Sequence, residues 1–163
     1  MKIRLLVLLF ITFAVAAFGQ EKFKLYHPEA DAQKDINEAI FKAEAANKNV
    51  FITVGGNWCG WCKLFHELVT SDEKIKNYLA DNYIMVHVNY SKENTNEKVL
   101  KNLEFPQRFG FPVFVILESS GKRIHTQNSG YLEEGKGHSP KKVLEFLQGW
   151  SPNALNPENY KKK

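Results

Sequence analysis

Three short apolar runs, rich in β-branched residues, divide the chain. Residues 50–54, 83–89 and 113–117 each predict a strand, because strands buried on both faces are almost continuously apolar. Residues 119–122, Ser-Ser-Gly-Lys, predict a hairpin-like turn into a fourth strand at residues 123–127. The pattern therefore predicts four strands, the last two of which are adjacent in a hairpin.

Helical periodicity fills the segments between these strands. It predicts helices over residues 28–47, 59–69, 75–79, 94–103 and 139–147, with a break at residues 70–73 and a loose glycine-containing connection at residues 130–138. The order helix, strand, helix, strand, helix, strand, strand, helix predicts an α/β fold. We expect a mixed, mostly parallel central sheet with a terminal hairpin and helices on both faces.

Residues 1–19 have the three parts of a secretory signal peptide. Lys2 and Arg4 form a basic start, an apolar run follows, and Ala17 and Gly19 suit cleavage before Gln20. The apolar run is short for a helix that spans roughly 30 Å of hydrocarbon, which favours cleavage over retention as a membrane anchor. We therefore expect an exported protein, periplasmic or secreted, with no stable membrane insertion after cleavage.

The expected mature chain has the composition of one globular domain. Hydrophobic residues make up 44% and aromatic residues 13% of the sequence. Without Lys2 and Arg4 the chain keeps 20 basic and 18 acidic residues, a net charge of +2, which does not point to a nucleic-acid partner. We expect an N-terminal segment and helix at residues 20–49, a core at residues 50–150 and a C-terminal tail at residues 151–163.

The chain has two cysteines, Cys59 and Cys62, with two residues between them. A disulfide that closes so short a loop adds little stability, so redox chemistry is the better interpretation of this pair in an exported protein. A zinc site would need two further ligands from the histidines, and no histidine has a diagnostic spacing to the pair; these are His66, His87, His125 and His138. We expect no cofactor and no metal.

The position of the pair, after a strand and at the start of a helix, suits thiol chemistry. A helix N-terminus carries unpaired N–H groups and about half a positive charge, which stabilise a thiolate. We expect Cys59 to be the attacking nucleophile and Cys62, deeper in the helix, to resolve the mixed disulfide. Gly60 is expected to allow close backbone approach, and Trp58 and Trp61 to provide an apolar surface for substrate.

Two motifs resemble the thioredoxin-like superfamily. Residues 58–63, Trp-Cys-Gly-Trp-Cys-Lys, are similar to the family's Trp-Cys-Gly-Pro-Cys-Lys, and Phe109-Gly110-Phe111-Pro112 resembles its cis-proline loop. The resemblance runs from about residue 50 to residue 150. It implies a thioredoxin-like fold, a cis Pro112 next to the sulfurs, and substrate binding at Phe111 and Pro112. The added segment at residues 70–79 resembles the subgroup related to reductase domains of thiol–disulfide interchange proteins.

Two positions depart from the family pattern. Thioredoxins commonly have a buried aspartate six residues before the first cysteine, and here that position is Thr53, which has no carboxylate. His87 aligns with a lysine on the neighbouring strand of the family. We hypothesise that His87, or water, transfers the proton of the second thiol, because an imidazole ordinarily titrates near neutral pH. The alternative is a histidine that only fills its place in the strand.

These features predict an enzyme that reduces or isomerises disulfides in exported proteins. Strong oxidases of the superfamily typically have a histidine between their cysteines, and this chain has Gly60 and Trp61 there. The expected partners are disulfide-containing exported proteins and a membrane electron donor. The alternatives are an oxidase that donates its disulfide, and a non-catalytic binding or chaperone module with an inert cysteine pair.

Overall fold

The structure, a computed structural model, describes residues 23–161. The predicted signal peptide at residues 1–19 lies outside the described residues. No helix in residues 23–161 is long and apolar enough to cross a membrane.

Four strands form the central sheet and five α-helices surround it. The strands are β1 (Asn49–Gly55), β2 (Tyr83–Asn89), β3 (Val113–Leu117) and β4 (Arg123–Asn128), in the spatial order β2-β1-β3-β4. The helices are α1 (Ala32–Ala46), α2 (Gly60–Ser71), α3 (Glu73–Asn82), α4 (Glu97–Asn102) and α5 (Pro140–Gly149). Short 3₁₀ helices occur at Pro106–Phe109, Ser129–Leu132 and Pro157–Tyr160, and β5 (Glu133–Glu134) pairs with β6 (Gly137–His138) as a small hairpin.

The sheet is mixed, as predicted, but the prediction that it is mostly parallel is wrong. β1 is parallel to β2 and antiparallel to β3, and β3 is antiparallel to β4. The reason lies in the connection after β2, where α4 has six residues and is followed by a 3₁₀ turn. The chain therefore enters β3 at the end of the sheet where β1 finishes, and Val113 pairs with Val54.

Helices cover both faces of the sheet, which confirms that part of the predicted fold. Alternation along β1 sends Val50, Ile52 and Val54 into a core formed with α1 and α4. Phe51 points the other way, into a core formed with α2, α3 and α5. Both cores are almost free of solvent, so β1 is a rigid base for the turn that follows it.

Two helix starts differ from the prediction. The helix predicted from residue 28 begins at Ala32, because Asp31 is the N-cap and its carboxylate accepts the Lys34 N–H at 3.0 Å. The helix predicted over residues 94–103 is shorter. Asn96 has a φ of 51° in the left-handed region, and its N–H donates to the Asn94 side chain at 2.9 Å, so α4 starts only at Glu97.

Candidate active site

Cys59 is the N-cap of α2. Its backbone is extended (φ −88°, ψ 107°), its N–H donates to the Gly56 carbonyl at 3.0 Å, and its Sγ accepts the Cys62 N–H at 3.1 Å. An N-cap side chain takes the place of a missing intrahelical acceptor, here with sulfur in the position usually held by a hydroxyl or carboxylate oxygen. A thiolate at this position receives the same N–H and the positive end of the helix, which lowers its proton affinity.

Cys59 and Cys62 form a disulfide in this structure. Their Cα atoms are 5.2 Å apart, within the usual range for a disulfide. Cys59 is 5% exposed and Cys62 is 1% exposed. Both cysteines are therefore buried, and Cys62 is the more enclosed of the two. We call the side of the pair toward Cys62 and Gly55 the protein side, and the side toward Cys59 and the exposed Trp58 the solvent side.

An aromatic rim, made of Trp58, Tyr90 and Phe111, borders the disulfide on the solvent side. The indole N–H of Trp58 donates to the Tyr90 carbonyl at 2.7 Å, and its ring stands nearly perpendicular to Phe111 at 5.5 Å between centroids. Tyr90 and Phe111 are in turn 4.7 Å apart. Trp58 is still 60% exposed, so the rim offers a fixed apolar surface to a bound chain.

The two residues between the cysteines differ in their surroundings. The ring of Trp61 is partly buried and packs edge-on against His138, with 5.5 Å between the ring centroids. Trp61 therefore packs α2 against the β5–β6 hairpin and is also partly exposed to solvent. A Cβ added at Gly60 would meet nothing within 4 Å. Contacts within the described chain therefore do not require glycine at this position.

The Phe111–Pro112 peptide bond is cis, as the resemblance predicted. Phe111 packs against the cluster formed by Tyr26, Cys59 and Cys62, and Pro112 is buried directly before β3. The antiparallel pairing of β1 and β3 explains this neighbourhood, because it places the start of β3 beside the end of β1.

Thr53 and His87 face each other on β1 and β2. They are register partners, and Thr53 Oγ1 lies 2.7 Å from His87 Nδ1. Burial, with smaller contributions from His66 and His27, lowers the pKa of His87 to about 4. The expectation that this imidazole titrates near neutral pH is therefore wrong, and a role for His87 in proton transfer remains a hypothesis about a neutral ring.

Tyr26 is a site residue that sequence reasoning missed. It is 2% exposed and forms a buried cluster with the two cysteines. Burial raises the pKa of its phenol to about 12, and a hydrogen bond with the Thr53 side chain acts in the opposite direction. No local signal marks Tyr26, because it precedes α1 in a segment without periodicity and reaches the site only through the folded path of the chain.

Two glycines of the turn after β1 were missed as well. A Cβ at Gly55 would lie 2.5 Å from Cys62 Sγ and 2.8 Å from the Tyr26 hydroxyl oxygen. A Cβ at Gly56 would collide with the Trp58 indole. The Gly-Gly pair at the end of a buried strand was a visible signal, since such glycines often mark a close approach.

Histidines in the described part of the chain do not complete a metal site around the cysteines. Within residues 23–161 no group of three or more histidine, cysteine, aspartate or glutamate side chains is placed to hold a metal ion. The site therefore consists of the sulfurs, the aromatic rim and the buried polar residues behind them.

Known proteins resemble this chain in both sequence and fold. A thiol:disulfide interchange protein DsbD from Campylobacter jejuni is 35% identical over 77 residues, which is 47% of this chain and 13% of that protein. The structure of a disulphide isomerase from Xylella fastidiosa matches with a TM-score of 0.68 and 22% identity, covering 76% of this chain and 94% of the other. A DsbH oxidoreductase matches with a TM-score of 0.50 and 21% identity, over 74% and 82% of the two chains.

These matches differ in what they cover. This chain spans about an eighth of the DsbD protein that it matches, so the likeness concerns one part of that larger protein. The structural likenesses show the fold. The family model for thioredoxin-like proteins matches residues 31–119, more than half of the sequence, and this range includes both cysteines and the cis proline. The chain therefore belongs to the thioredoxin-like family, and its site has the Cys-x-x-Cys centre of that family's disulfide oxidoreductases.

Proposed function

We propose that this chain is an exported thiol–disulfide oxidoreductase that reduces or isomerises disulfides of exported proteins. The observation that carries the proposal is the Cys59–Cys62 disulfide at the N-terminus of α2, in which Cys62 is more deeply buried than Cys59. The loop that this disulfide closes is only four residues long, so the bond adds little stability to the fold. A role in redox chemistry explains its position at a helix start better than a structural role does.

The reductive reaction uses the two sulfurs in sequence. The Cys59 thiolate attacks a substrate disulfide, that S–S bond breaks, and one substrate sulfur leaves and takes up a proton. Cys62 then loses its proton and attacks Cys59 Sγ, which breaks the bond to the substrate and releases the second substrate sulfur, also to be protonated. The pair supplies two electrons and ends as the disulfide of this structure. A reducing partner must return two electrons and two protons before the next cycle.

The exposed aromatic side chains near Cys59 are the reason for proposing a polypeptide substrate. Trp58 is exposed beside Cys59, and two further exposed aromatic side chains, Phe105 and Phe109, flank the turn before β3. Such a surface binds an extended chain of varied sequence, because apolar contact does not require a fixed set of hydrogen bonds. This breadth suits an enzyme that acts on many proteins.

The residues between the cysteines favour the reductive direction. Gly60 and Trp61 carry no titratable group, so they add no charge that would stabilise the thiolate of Cys59 and make the disulfide a strong oxidant. The relative named for thiol:disulfide interchange supports exchange chemistry at the pair. In an oxidising compartment such a protein needs an electron donor, and we propose a membrane protein for this role.

The reduction potential tests the proposed direction. The chain without residues 1–19 is equilibrated in dithiothreitol or glutathione redox buffers, and the fluorescence of Trp58 and Trp61, the residues beside the sulfurs, is followed. We expect a reversible two-electron transition near about −270 mV, as in thioredoxins. A potential between roughly −180 and −120 mV would contradict the reductive role and leave isomerisation or the alternative, an oxidase that donates its disulfide.

A variant with both Cys59 and Cys62 replaced by Ser is the control for this titration, since it keeps the tryptophans and removes the couple. If the unmodified protein shows no transition either, the pair is redox-inert and the protein is a thioredoxin-shaped binding module.

Export is tested separately on the full chain. Expression in a Gram-negative bacterium followed by fractionation and mass spectrometry is expected to give a periplasmic product that begins at Gln20. A product that retains residues 1–19 in the membrane fraction would show an anchor, and a full-length product in the cytoplasm would refute export.

A further inference from the structure

The segment before α1 is held against the active-site turn by one side chain. Asn57 Oδ1 accepts the N–H groups of both Leu25 and Tyr26, at 2.9 and 3.0 Å, and Asn57 Nδ2 donates to the Tyr26 carbonyl at 2.7 Å. Phe23 continues the contact, with its ring 5.7 Å from His66 of α2. This part of the N-terminal segment is therefore a fixed element of the site.

These hydrogen bonds place the Tyr26 hydroxyl beside Cys62. The Tyr26 oxygen and Cys62 Sγ lie 2.8 and 2.5 Å from one point, the position of a Cβ at Gly55. The distance between the Tyr26 oxygen and Cys62 Sγ is therefore at most the sum of these two distances. Because residue 55 is glycine, no side chain separates the two atoms. Both side chains are almost fully buried, at 2% and 1% exposure, so water does not readily replace either one.

A second pair of contacts extends behind the phenol. The side chain of Thr53, which is 2% exposed, lies close enough to the Tyr26 hydroxyl to act against the raised pKa of the phenol. Thr53 Oγ1 in turn lies 2.7 Å from His87 Nδ1, and the Tyr26 and His87 rings meet edge to face at 5.9 Å. We call Tyr26, Thr53 and His87 the hydroxyl network; its Tyr26 end lies beside Cys62.

We propose that the Tyr26 hydroxyl donates a hydrogen bond to the Cys62 thiolate during the reaction, with Thr53 and His87 as the positioning residues that aim it. The inference rests on the proposed oxidoreductase function, for which it names a residue that stabilises the resolving sulfur. The network occupies the place behind the second cysteine from which a carboxylate is missing in this chain, since residue 53 is threonine.

The hydrogen-bonding groups allow this direction of donation when the neutral His87 ring carries its proton on Nδ1. With neutral His87 donating from Nδ1 to Thr53 Oγ1, and Thr53 donating to the Tyr26 oxygen, the remaining donor of the network is the Tyr26 O–H. A thiolate is an acceptor without a proton, and a hydrogen bond from a neutral donor to an ionised acceptor is stronger than one between neutral groups. Tyr26 keeps its proton throughout, because burial raises the pKa of its phenol to about 12.

The proton of Cys62 therefore does not pass to the network. When Cys62 attacks Cys59 Sγ, its proton goes to the departing substrate thiolate or to water, and the Tyr26 hydroxyl stabilises the charge on sulfur before the new S–S bond forms. In the reverse direction it stabilises the same sulfur as it leaves. The bond count and the two-electron balance of the reaction are unchanged.

The charged and titratable groups around His87 come from three elements. They are Tyr26 and His27 in the N-terminal segment, Asp35, Glu38 and Lys42 of α1 along the groove that His87 also lines, and His66 of α2. The hydrogen bond between Thr53 Oγ1 and His87 Nδ1 comes from the neighbouring strand β1 and fixes the orientation of the His87 ring.

The substitution Tyr26→Phe tests the proposal, because it removes the hydroxyl and keeps the ring. Its control is Tyr83→Phe, which also removes a buried hydroxyl, one that donates to the Leu147 carbonyl far from the sulfurs in the other core. The first readout is the pKa of Cys62 in the reduced proteins, followed by NMR of ¹³Cβ-labelled cysteine. The second is the pH profile of resolution of a Cys59–glutathione mixed disulfide.

We expect Tyr26→Phe to raise the pKa of Cys62 by about one unit and to slow resolution roughly tenfold at pH 7, with the rates converging at high pH. Tyr83→Phe should leave both readouts unchanged, and Thr53→Val should shift them in the same direction as Tyr26→Phe. A folded Tyr26→Phe protein with an unchanged Cys62 pKa overturns the inference. Because NMR needs no substrate, a protein that turns over no disulfide contradicts the proposed function without deciding this point.

Discussion

The two sides of the Cys59–Cys62 disulfide differ in packing density and in polarity. The solvent side has open space at Gly60 and the exposed ring of Trp58, while the protein side is packed so closely that a Cβ at Gly55 would collide with sulfur. The solvent side has apolar surface and no buried hydrogen-bond network, and the protein side has the hydroxyl network of Tyr26, Thr53 and His87. Under the proposed function, the solvent side would select what binds and the protein side would control the chemistry of Cys62.

The largest expected effect comes from replacing the two cysteines one at a time. Cys59→Ser and Cys62→Ser should each reduce disulfide-reductase activity to the uncatalysed rate, but by different routes. Cys62→Ser keeps the solvent-side nucleophile and should accumulate a stable mixed disulfide with substrate, since nothing resolves it. Non-reducing gels and mass spectrometry detect this adduct. Equal adduct formation by both variants would contradict the assignment of Cys59 as the attacking sulfur.

The two glycines on either side of the pair give a matched test of packing. Gly55→Ala should destabilise the oxidised protein by about 2–3 kcal/mol, because the methyl group must displace Cys62 or the Tyr26 hydroxyl. Gly60→Ala meets no neighbour and lies in the first position of α2, so it should change the stability by less than about 0.5 kcal/mol. Urea unfolding of the oxidised proteins at pH 7 measures both. Similar values for the two variants would refute the contrast in packing.

Acid should lower the stability of the folded protein through protonation of His87 in the unfolded chain. Its pKa is about 4 in the folded protein and about 6.5 in an unfolded chain, so the unfolded chain binds more protons between these values. The stability is fully present above about pH 6.5 and is lost as pH falls toward 4, by on the order of 2 kcal/mol. Urea midpoints measured from pH 7.5 to 4 should fall less steeply in His87→Gln.

His27→Gln is the control for this pH profile. His27 is exposed beside Glu29 and is the smallest of the causes that lower the pKa of His87, so its removal should change the profile much less than His87→Gln does. An unmodified slope in His87→Gln would mean that other groups carry the acid sensitivity.

The smallest expected effect is on the solvent side. Trp58→Ala should raise KM for a peptide disulfide about fivefold, equivalent to about 1 kcal/mol, with kcat nearly unchanged, because the ring is a binding surface. Phe41→Ala is the control, since Phe41 is 74% exposed on α1 and does not border the disulfide. A loss of kcat rather than a rise in KM would place Trp58 in the chemistry instead.

The sequence predicted what local pattern determines. The run at residues 113–117 predicts β3 because its apolar, β-branched residues suit a strand buried on both faces. The spacing of Cys59 and Cys62 predicts a redox pair at a helix start, and the structure places them there. Pro112 was found through its family resemblance, and its cis bond could not be derived from local propensity.

What depends on the folded path of the chain was not predicted. Tyr26 meets Cys62 across 36 positions, through hydrogen bonds to Asn57 that no periodicity encodes. The direction of β3 depends on where a short connection returns the chain, and strand patterns are the same for parallel and antiparallel neighbours. The pKa of His87 depends on burial that a residue name does not specify.

The neutral character of the hydroxyl network has a consequence for how the protein responds to its surroundings. Tyr26 and His87 do not change charge between about pH 6 and pH 9, because their pKa values are about 12 and about 4. A carboxylate behind the sulfurs would titrate together with the thiols and couple electron affinity to the state of a third acid. Here that coupling is removed from the protein side, and the electron affinity of the pair follows the protons of its own two thiols. Changes in the acidity around the protein would then act on its redox balance through the sulfurs and not through the residues behind them.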